Sequence, residues 1–292
     1  MADFTEQLFG GSWTEQKLDI LKKYLNSYNT ALKNQPFKRV YIDAFAGTGY
    51  RQQQKLEYSA PDIFEELRLD ASEQFLKGSA ALALESTPSF HKFIFIESDE
   101  TKIKELEKLR HTYTAKANQI EIIQSDANEF IQRYCDKEDW KNNRAVLFLD
   151  PFATEVEWPT IEAIAKTKCI DVWILFPIMA VNRLLANDHK KAFNNRLNKI
   201  FGTEEWFEHF YKTKTLDDIF GQSIEKIEKV CDYTSIGNFY KNRLKTLFPG
   251  VAEKPKVFYN SKGSPLFQFF FAVGNPNGTP TALRIAEYLL KI

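Results

Sequence analysis

Cysteine is scarce: Cys135, Cys169 and Cys231 are the three in 292 residues, far apart and without a C-x-x-C pair. Such spacing fits reduced, mostly buried thiols of an intracellular protein better than a disulfide framework or a metal site. The four histidines, His91, His111, His189 and His209, form no H-E-x-x-H cluster, so no metal is implied. An excess of either charge is missing too. Lys and Arg number 39 and so do Asp and Glu, so generic nucleic-acid binding through a strongly basic surface is not indicated. No apolar run reaches membrane-spanning length, and the N-terminus lacks the basic-then-apolar pattern of a secretion signal, so a cytoplasmic protein is expected. Glycine is sparse, with 12 copies. The dinucleotide fingerprint G-x-G-x-x-G fails because position 52 is Gln52, and no G-K-S/T follows to make a phosphate loop.

What is present is concentrated in Val40 to Tyr50. Val40-Tyr41-Ile42-Asp43 reads as a short buried parallel strand ending in an acid. A small-residue turn follows, Ala44-Phe45-Ala46-Gly47-Thr48-Gly49, whose glycines allow positive φ and let a ligand lie against bare backbone. In open α/β sheets, ligands bind beyond the carboxyl ends of the strands. An acid, an apolar stretch and G-x-G resembles motif I of class I S-adenosylmethionine (SAM) methyltransferases; an ordinary βα turn with two glycines is the alternative.

Around this strand the chain alternates. Ser12-Trp13-Thr14-Glu15 has capping-box spacing, and Leu18, Leu21, Leu25, Tyr28 and Leu32 give the following helix one apolar face. Lys17, one turn in, either reaches over a ligand or is solvated. A polar connection runs to Lys77, with a short helix expected near Pro61–Leu67, and Ser79 is a plausible N-cap for Ala80–Leu84. Lys92–Ile96 is a second buried strand ending in Glu97-Ser98-Asp99. Glu97 is placed to accept from ribose hydroxyls, and Asp99 to cap the helix Glu100–Arg110. A third strand, Gln119–Gln124, delivers Ser125-Asp126-Ala127-Asn128, where Asp126 either takes an adenine amino group or caps the next helix. Arg144–Leu149 delivers Asp150-Pro151-Phe152, and Ile170–Pro177 makes a fifth strand. This predicts an α/β protein with a parallel, doubly wound sheet.

From Ile178 to about Leu247 the periodicity is helical throughout, which predicts a helical insertion or cap over 178–250, with helices Val181–Phe201, Glu204–Tyr211, Ile219–Val230 and Ile236–Leu247. Lys and Arg cluster at 181–200 and 236–256, and such runs are usually solvated helix faces. Lys256–Tyr259 and Pro265–Val273 close the chain as a hairpin whose second strand is apolar enough to be buried.

The ordered set matches how class I methyltransferases are built: a Rossmann-like, seven-stranded, mostly parallel sheet with an antiparallel terminal hairpin, here formed by 1–177 and 251–292. It also resembles the three-Cys-motif partner proteins, a bacterial SAM-methyltransferase-like family. The matching pieces are Trp13-Thr14 with Lys17-Leu18, Tyr41-Ile42-Asp43 with Phe45-Ala46-Gly47-x-Gly49, Gly78-Ser79, Phe95-Ile96-Glu97, Asp126-Ala127-Asn128, Phe148 to Phe152, Phe201-Gly202 and Trp206. That resemblance implies a partner carrying a radical-SAM-like three-cysteine cluster. The order of motifs is similar, too, to bacterial ribosomal-RNA adenine-N6 methyltransferases, in which Asp-Pro-Pro-Tyr orients the amino group and stacks on the flipped base. Here the motif departs: one proline, Phe152 one place early, Ala153 where the aromatic belongs. The resemblance implies SAM held by Asp43, Phe45, Ala46, Gly47, Gly49, Ser79, Glu97, Ser98, Asp126, Ala127 and Lys17, with Asp150, Pro151 and Phe152 orienting the methyl acceptor. The acceptor class, nucleic acid or protein, stays open. A SAM-fold interaction protein without methyl transfer of its own is the competing reading.

Overall fold

The computed structural model describes residues 12–47, 78–186, 191–217 and 223–292. The helix α1 (Ser12–Leu32) buries Leu18, Leu21, Leu25 and Tyr28, the apolar face its periodicity predicts. After it come β1 (Lys38–Asp43), α2 (Ser79–Leu84), β2 (Lys92–Glu97), α3 (Glu100–Thr112), β3 (Ile120–Gln124), α4 (Ala127–Lys137), β4 (Asn143–Leu149), α5 (Trp158–Lys166) and β5 (Ile170–Phe176). The second half continues with α6 (Ile178–Leu184), α7 (Asn194–Phe201), α8 (Trp206–Phe210), β6 (Tyr211–Asp217), β7 (Ser223–Lys229) and α9 (Tyr233–Leu247). It ends with β8 (Gly250–Val251), β9 (Lys256–Tyr259), β10 (Pro265–Val273) and α10 (Thr279–Leu290).

The main sheet runs β3-β2-β1-β4-β5-β10-β8, with β9 paired to β10. The first five strands are parallel, and β10 lies antiparallel to β5, with Phe269 opposite Leu175 and Phe271 opposite Trp173. The fold is therefore Rossmann-like α/β, mostly parallel, closed by the antiparallel hairpin. Strand order reverses between β1 and β4. The carboxyl ends of that pair are where such a sheet opens a crevice.

Side chains alternate across the sheet, so one strand feeds two cores. Tyr41, Phe93, Phe148, Trp173 and Phe271 pack beneath α1, α2, α3 and α10. Val40, Ile42, Leu147, Ile174 and Phe270 face the other way, against α4, α5 and the helices after Ile178.

The segment 178–250 differs from the all-helical expectation. The predicted helix Ile219–Val230 is, over 223–229, the strand β7, paired antiparallel with β6 from Tyr211↔Lys229 to Asp217↔Ser223. Lys212-Thr213-Lys214-Thr215 alternates β-branched with long polar residues, and the ladder outweighs the local helical spacing across from it. The predicted helix Val181–Phe201 is likewise divided, α6 ending at Leu184 and α7 starting at Asn194. Nor do these elements stand off the sheet. Tyr240 of α9 stacks on Phe176 of β5 at 4.1 Å, and Phe201 packs in the same core. The clustered cations serve this docking: Arg243 donates to the carbonyls of Phe201 and Gly202, Arg196 to Thr154, and Lys199 pairs with Glu157. No helix among the described residues is long and apolar enough to cross a membrane.

Candidate functional site

The turn after β1 is pinned on both sides. Ala44 N–H donates to the Phe148 carbonyl of β4 at 3.1 Å, and Ala46 N–H to the Ile96 carbonyl of β2 at 3.0 Å. Gly47 follows at φ +60°, a conformation costly for side-chain-bearing residues. Gly49 and the predicted helix Pro61–Leu67 lie outside the described residues, as does Gln52.

Glu97 at the end of β2 is 8% exposed and ties the neighbouring turns together. Its Oε2 accepts from Gly47 N–H at 3.0 Å, and its Oε1 from the N–H groups of Ser98 and Asp99 at 3.0 and 3.1 Å. Lys102 stands 3.7 Å away. Asp99 caps α3 as expected, accepting from Thr101 and Lys102 N–H. Asp126 caps α4 through Glu129 N–H at 3.0 Å and also borders the cavity described below, so its two sequence readings are compatible.

Asp150, at the end of β4, meets Lys17 of α1: Nζ donates to Oδ2 at 2.6 Å. Lys17 is 1% exposed, with its ammonium 5.2 Å from the Trp13 ring centre and 5.8 Å from that of Phe148. It therefore lies behind the carboxylate and does not line the cavity described below; it is not solvated, the other reading its position allowed. Ser79 differs from expectation as well. Gly78 is the N-cap of α2, and the Ser79 hydroxyl points to the Asp43 and Tyr41 side chains instead. The Gly78 backbone already has extended geometry, which shifts the cap one residue early.

At the carboxyl ends of β1, β2, β3 and β4 these residues enclose one cavity of about 320 Å³. Phe45, Gly47, Glu97, Ser98, Asp126, Ala127, Asp150, Pro151 and Phe152 all border it. Asp43, Ala46, Ser79 and Lys17 form the buried layer behind. Six further lining residues were not among the candidate site residues: Trp13, Ala44, Lys102, Ser125, Glu155 and Phe267. Phe267 was reachable by topology, since β10 runs antiparallel and its start must lie at the carboxyl edge of the parallel strands. Glu155 had no such signal. Its Oε2 accepts from Phe152 N–H at 2.9 Å, and burial raises its pKa. Phe152 is left 45% exposed at the cavity rim.

Asp43 is fully buried, and desolvation pushes its carboxyl up to about 7, helped by the nearby Asp150 charge and opposed by the Ser79 and Tyr41 hydroxyls. A folded-state pKa above the unfolded value of about 4 means stability that is present in acid and lost as pH rises through about 7. Asp43→Asn removes that loss. Urea unfolding at pH 4.5 and 7.5 is expected to show wild type falling behind the variant at the higher pH by a few kcal/mol, on the order set by the linkage relation. Parallel pH dependence in both proteins would refute a perturbed Asp43.

No family model matches the chain, and no curated protein matches it. Among solved structures it is similar to a Legionella pneumophila protein at 12% identity and TM-score 0.49, over 94% of this chain and 91% of that one. It is similar to a putative methyltransferase from Escherichia coli at 14% identity and TM-score 0.30, over 71% and 84%. It is also similar to a magnesium protoporphyrin IX methyltransferase from Synechocystis with bound SAM at 13% identity and TM-score 0.32, over 78% and 87%.

Proposed function

We propose that this chain is a SAM-dependent methyltransferase of class I architecture acting on an amino group. The observation that carries the reading is the cavity at the switch point, bordered by Gly47, Glu97, Asp126 and Asp150 from four successive strand ends. Its volume lies at the lower end of the ~300–1,000 Å³ usual for small-molecule sites. Directly behind the turn, Asp43 Oδ1 is buried with no close hydrogen-bond partner among the described residues. Such an orphaned acceptor suits an ammonium donor, direct or through one water. SAM would supply an electrophilic methyl group on a cationic sulfur.

The chain's own residues would do the rest. The backbone from Phe45 to Gly47 cradles the amino-acid part, Glu97 takes the ribose hydroxyls and Asp126 faces the adenine. The Asp150 carboxylate and the Pro151 carbonyl orient the acceptor nitrogen, and Phe152 offers its ring beside it. Rate then comes mainly from proximity and alignment. Calorimetric titration with S-adenosylhomocysteine (SAH), with NADH as control ligand, tests the reading. Saturable one-to-one binding of SAH alone supports it, and NADH binding refutes it. Glu97→Ala is expected to weaken SAH at least about ten-fold, the loss of one charge-assisted hydrogen-bonding group. Unchanged affinity would remove the ribose assignment.

A second reading is favoured by two features: Ala153 stands where an aromatic would complete the motif, and the Asp150 carboxylate is already held by Lys17. On that reading the chain is a three-Cys-motif partner that binds SAM and serves a radical-SAM-like protein without transferring methyl itself. An Asp150 substitution that leaves partner function intact, with no methyl transfer by wild type, would select it.

A further inference from the structure

The cavity's charge is uneven. Among its described lining residues, Glu97, Asp126, Asp150 and Glu155 are acids, and Lys102 is the one base. Lys102 stands 3.7 Å from the Glu97 carboxylate, and its charge and that of Arg196 also reach Glu155. At the Asp150 end the lining is aromatic: Trp13, Phe152 and Phe267 share the wall, with Trp13 and Phe267 packed at 5.1 Å. With Asp150 already paired to Lys17, the Glu155 carboxylate and the ring faces are what this mouth offers a cationic nitrogen, through ion pairing and through the negative faces of the rings. It disfavours a phosphate backbone, which is bound by Lys and Arg. Among the described residues of the clusters at 181–200 and 236–256, five cations are engaged within the fold. Arg196, Lys199, Lys241, Arg243 and Lys245 each bond to a protein acceptor.

The fold displays the same recognition within itself. The Lys17 ammonium rests on Trp13 and Phe148 and meets Asp150 at 2.6 Å, an alkylammonium between rings and a carboxylate. From these features, and resting on the methyltransferase reading, we infer that the methyl acceptor is a primary alkylammonium on a flexible aliphatic chain, entering past Phe152 toward Asp150 and Glu155.

The transfer balances as follows. The ammonium gives one proton to the Glu155 carboxylate, whose burial favours the protonated form. The freed nitrogen lone pair forms a bond to the methyl carbon, the carbon–sulfur bond breaks, and its electron pair stays on sulfur, leaving neutral SAH. The product is a secondary ammonium, and Glu155 returns its proton to water.

Three probes decide the class: a lysine-containing peptide, 1,4-diaminobutane and a short adenine-containing oligoribonucleotide, each incubated with the full chain and SAM tritiated at the methyl group. Label in the peptide or the diamine, at least about ten-fold above the oligonucleotide, is expected, and the stronger of the two tells a protein side chain from a free amine. Glu155→Gln should lower that transfer at least ten-fold while SAH affinity stays within two-fold. Label in the oligonucleotide, or SAH binding with no labelled amine, would overturn the inference and leave the cofactor site standing. Loss of SAH binding in wild type would overturn both.

Discussion

Asp150→Asn is expected to lower methyl transfer about 100-fold or more and to leave SAH affinity within about two-fold. A 100-fold loss corresponds to about 2.7 kcal/mol of transition-state stabilisation, the scale of one preorganised polar group at the reacting centre. The side chain sits at the carboxyl end of β4, bordering the cavity, and its Oδ2 is already fixed by Lys17 at 2.6 Å. Asparagine keeps the shape and can still accept from that ammonium through its carbonyl oxygen. It loses the charge that aligns a donor nitrogen. Single-turnover label transfer alongside SAH calorimetry separates the two effects. A parallel fall in affinity would move Asp150 from the acceptor to the cofactor.

The geometry explains why this residue should act mainly on turnover. Glu97, not Asp150, joins the β1 turn to β2, through Gly47 N–H. The cofactor-side frame therefore does not depend on the β4 carboxylate. Phe152 is held separately, its N–H bonded to Glu155, so its rim position should survive the Asp150 change.

Much of this frame was legible in the sequence because it rests on local patterns. β1, β2, β4 and β5 are short apolar runs ending in Asp43, Glu97, Asp150 and Pro177, and a parallel sheet places every such end on one edge. The acids therefore converge on one crevice edge, although no two are adjacent in the chain. The Lys17–Asp150 pair was not legible, for the opposite reason. Whether a helical lysine reaches a ligand or a carboxylate behind it depends on how α1 packs on β4, 133 residues away, and no local spacing encodes that. Glu155 and Phe267 enter the site through a loop path and a strand register. The β6–β7 ribbon escaped for a related cause, since a strand is stabilised by its partner across the ladder while helical spacing is visible in one segment.

The segment after Ile178 was expected to be an insertion, and its attachment yields the largest stability effect. Gly202 ends α7 at φ +65°, with its N–H bonded to the Asn198 carbonyl at 2.7 Å. A Cβ there would lie 1.9 Å from Trp158 Cδ1. Trp158 is 2% exposed, edge-on to Tyr240 at 6.1 Å with the Arg243 guanidinium over its ring at 4.8 Å, so the indole has little room to retreat. Gly202→Ala therefore combines about 1–2 kcal/mol for a left-handed alanine with about 1–3 kcal/mol for overpacking. A total loss near 3 kcal/mol is expected in urea unfolding. Because Trp158 belongs to α5 on the sheet and Gly202 to the segment, the transition should stay single and shift as one. If the segment melted first in a separate transition, with the sheet's midpoint unmoved, 178–250 would be an independent cap and the shared core around Phe176 and Tyr240 would carry little of its stability.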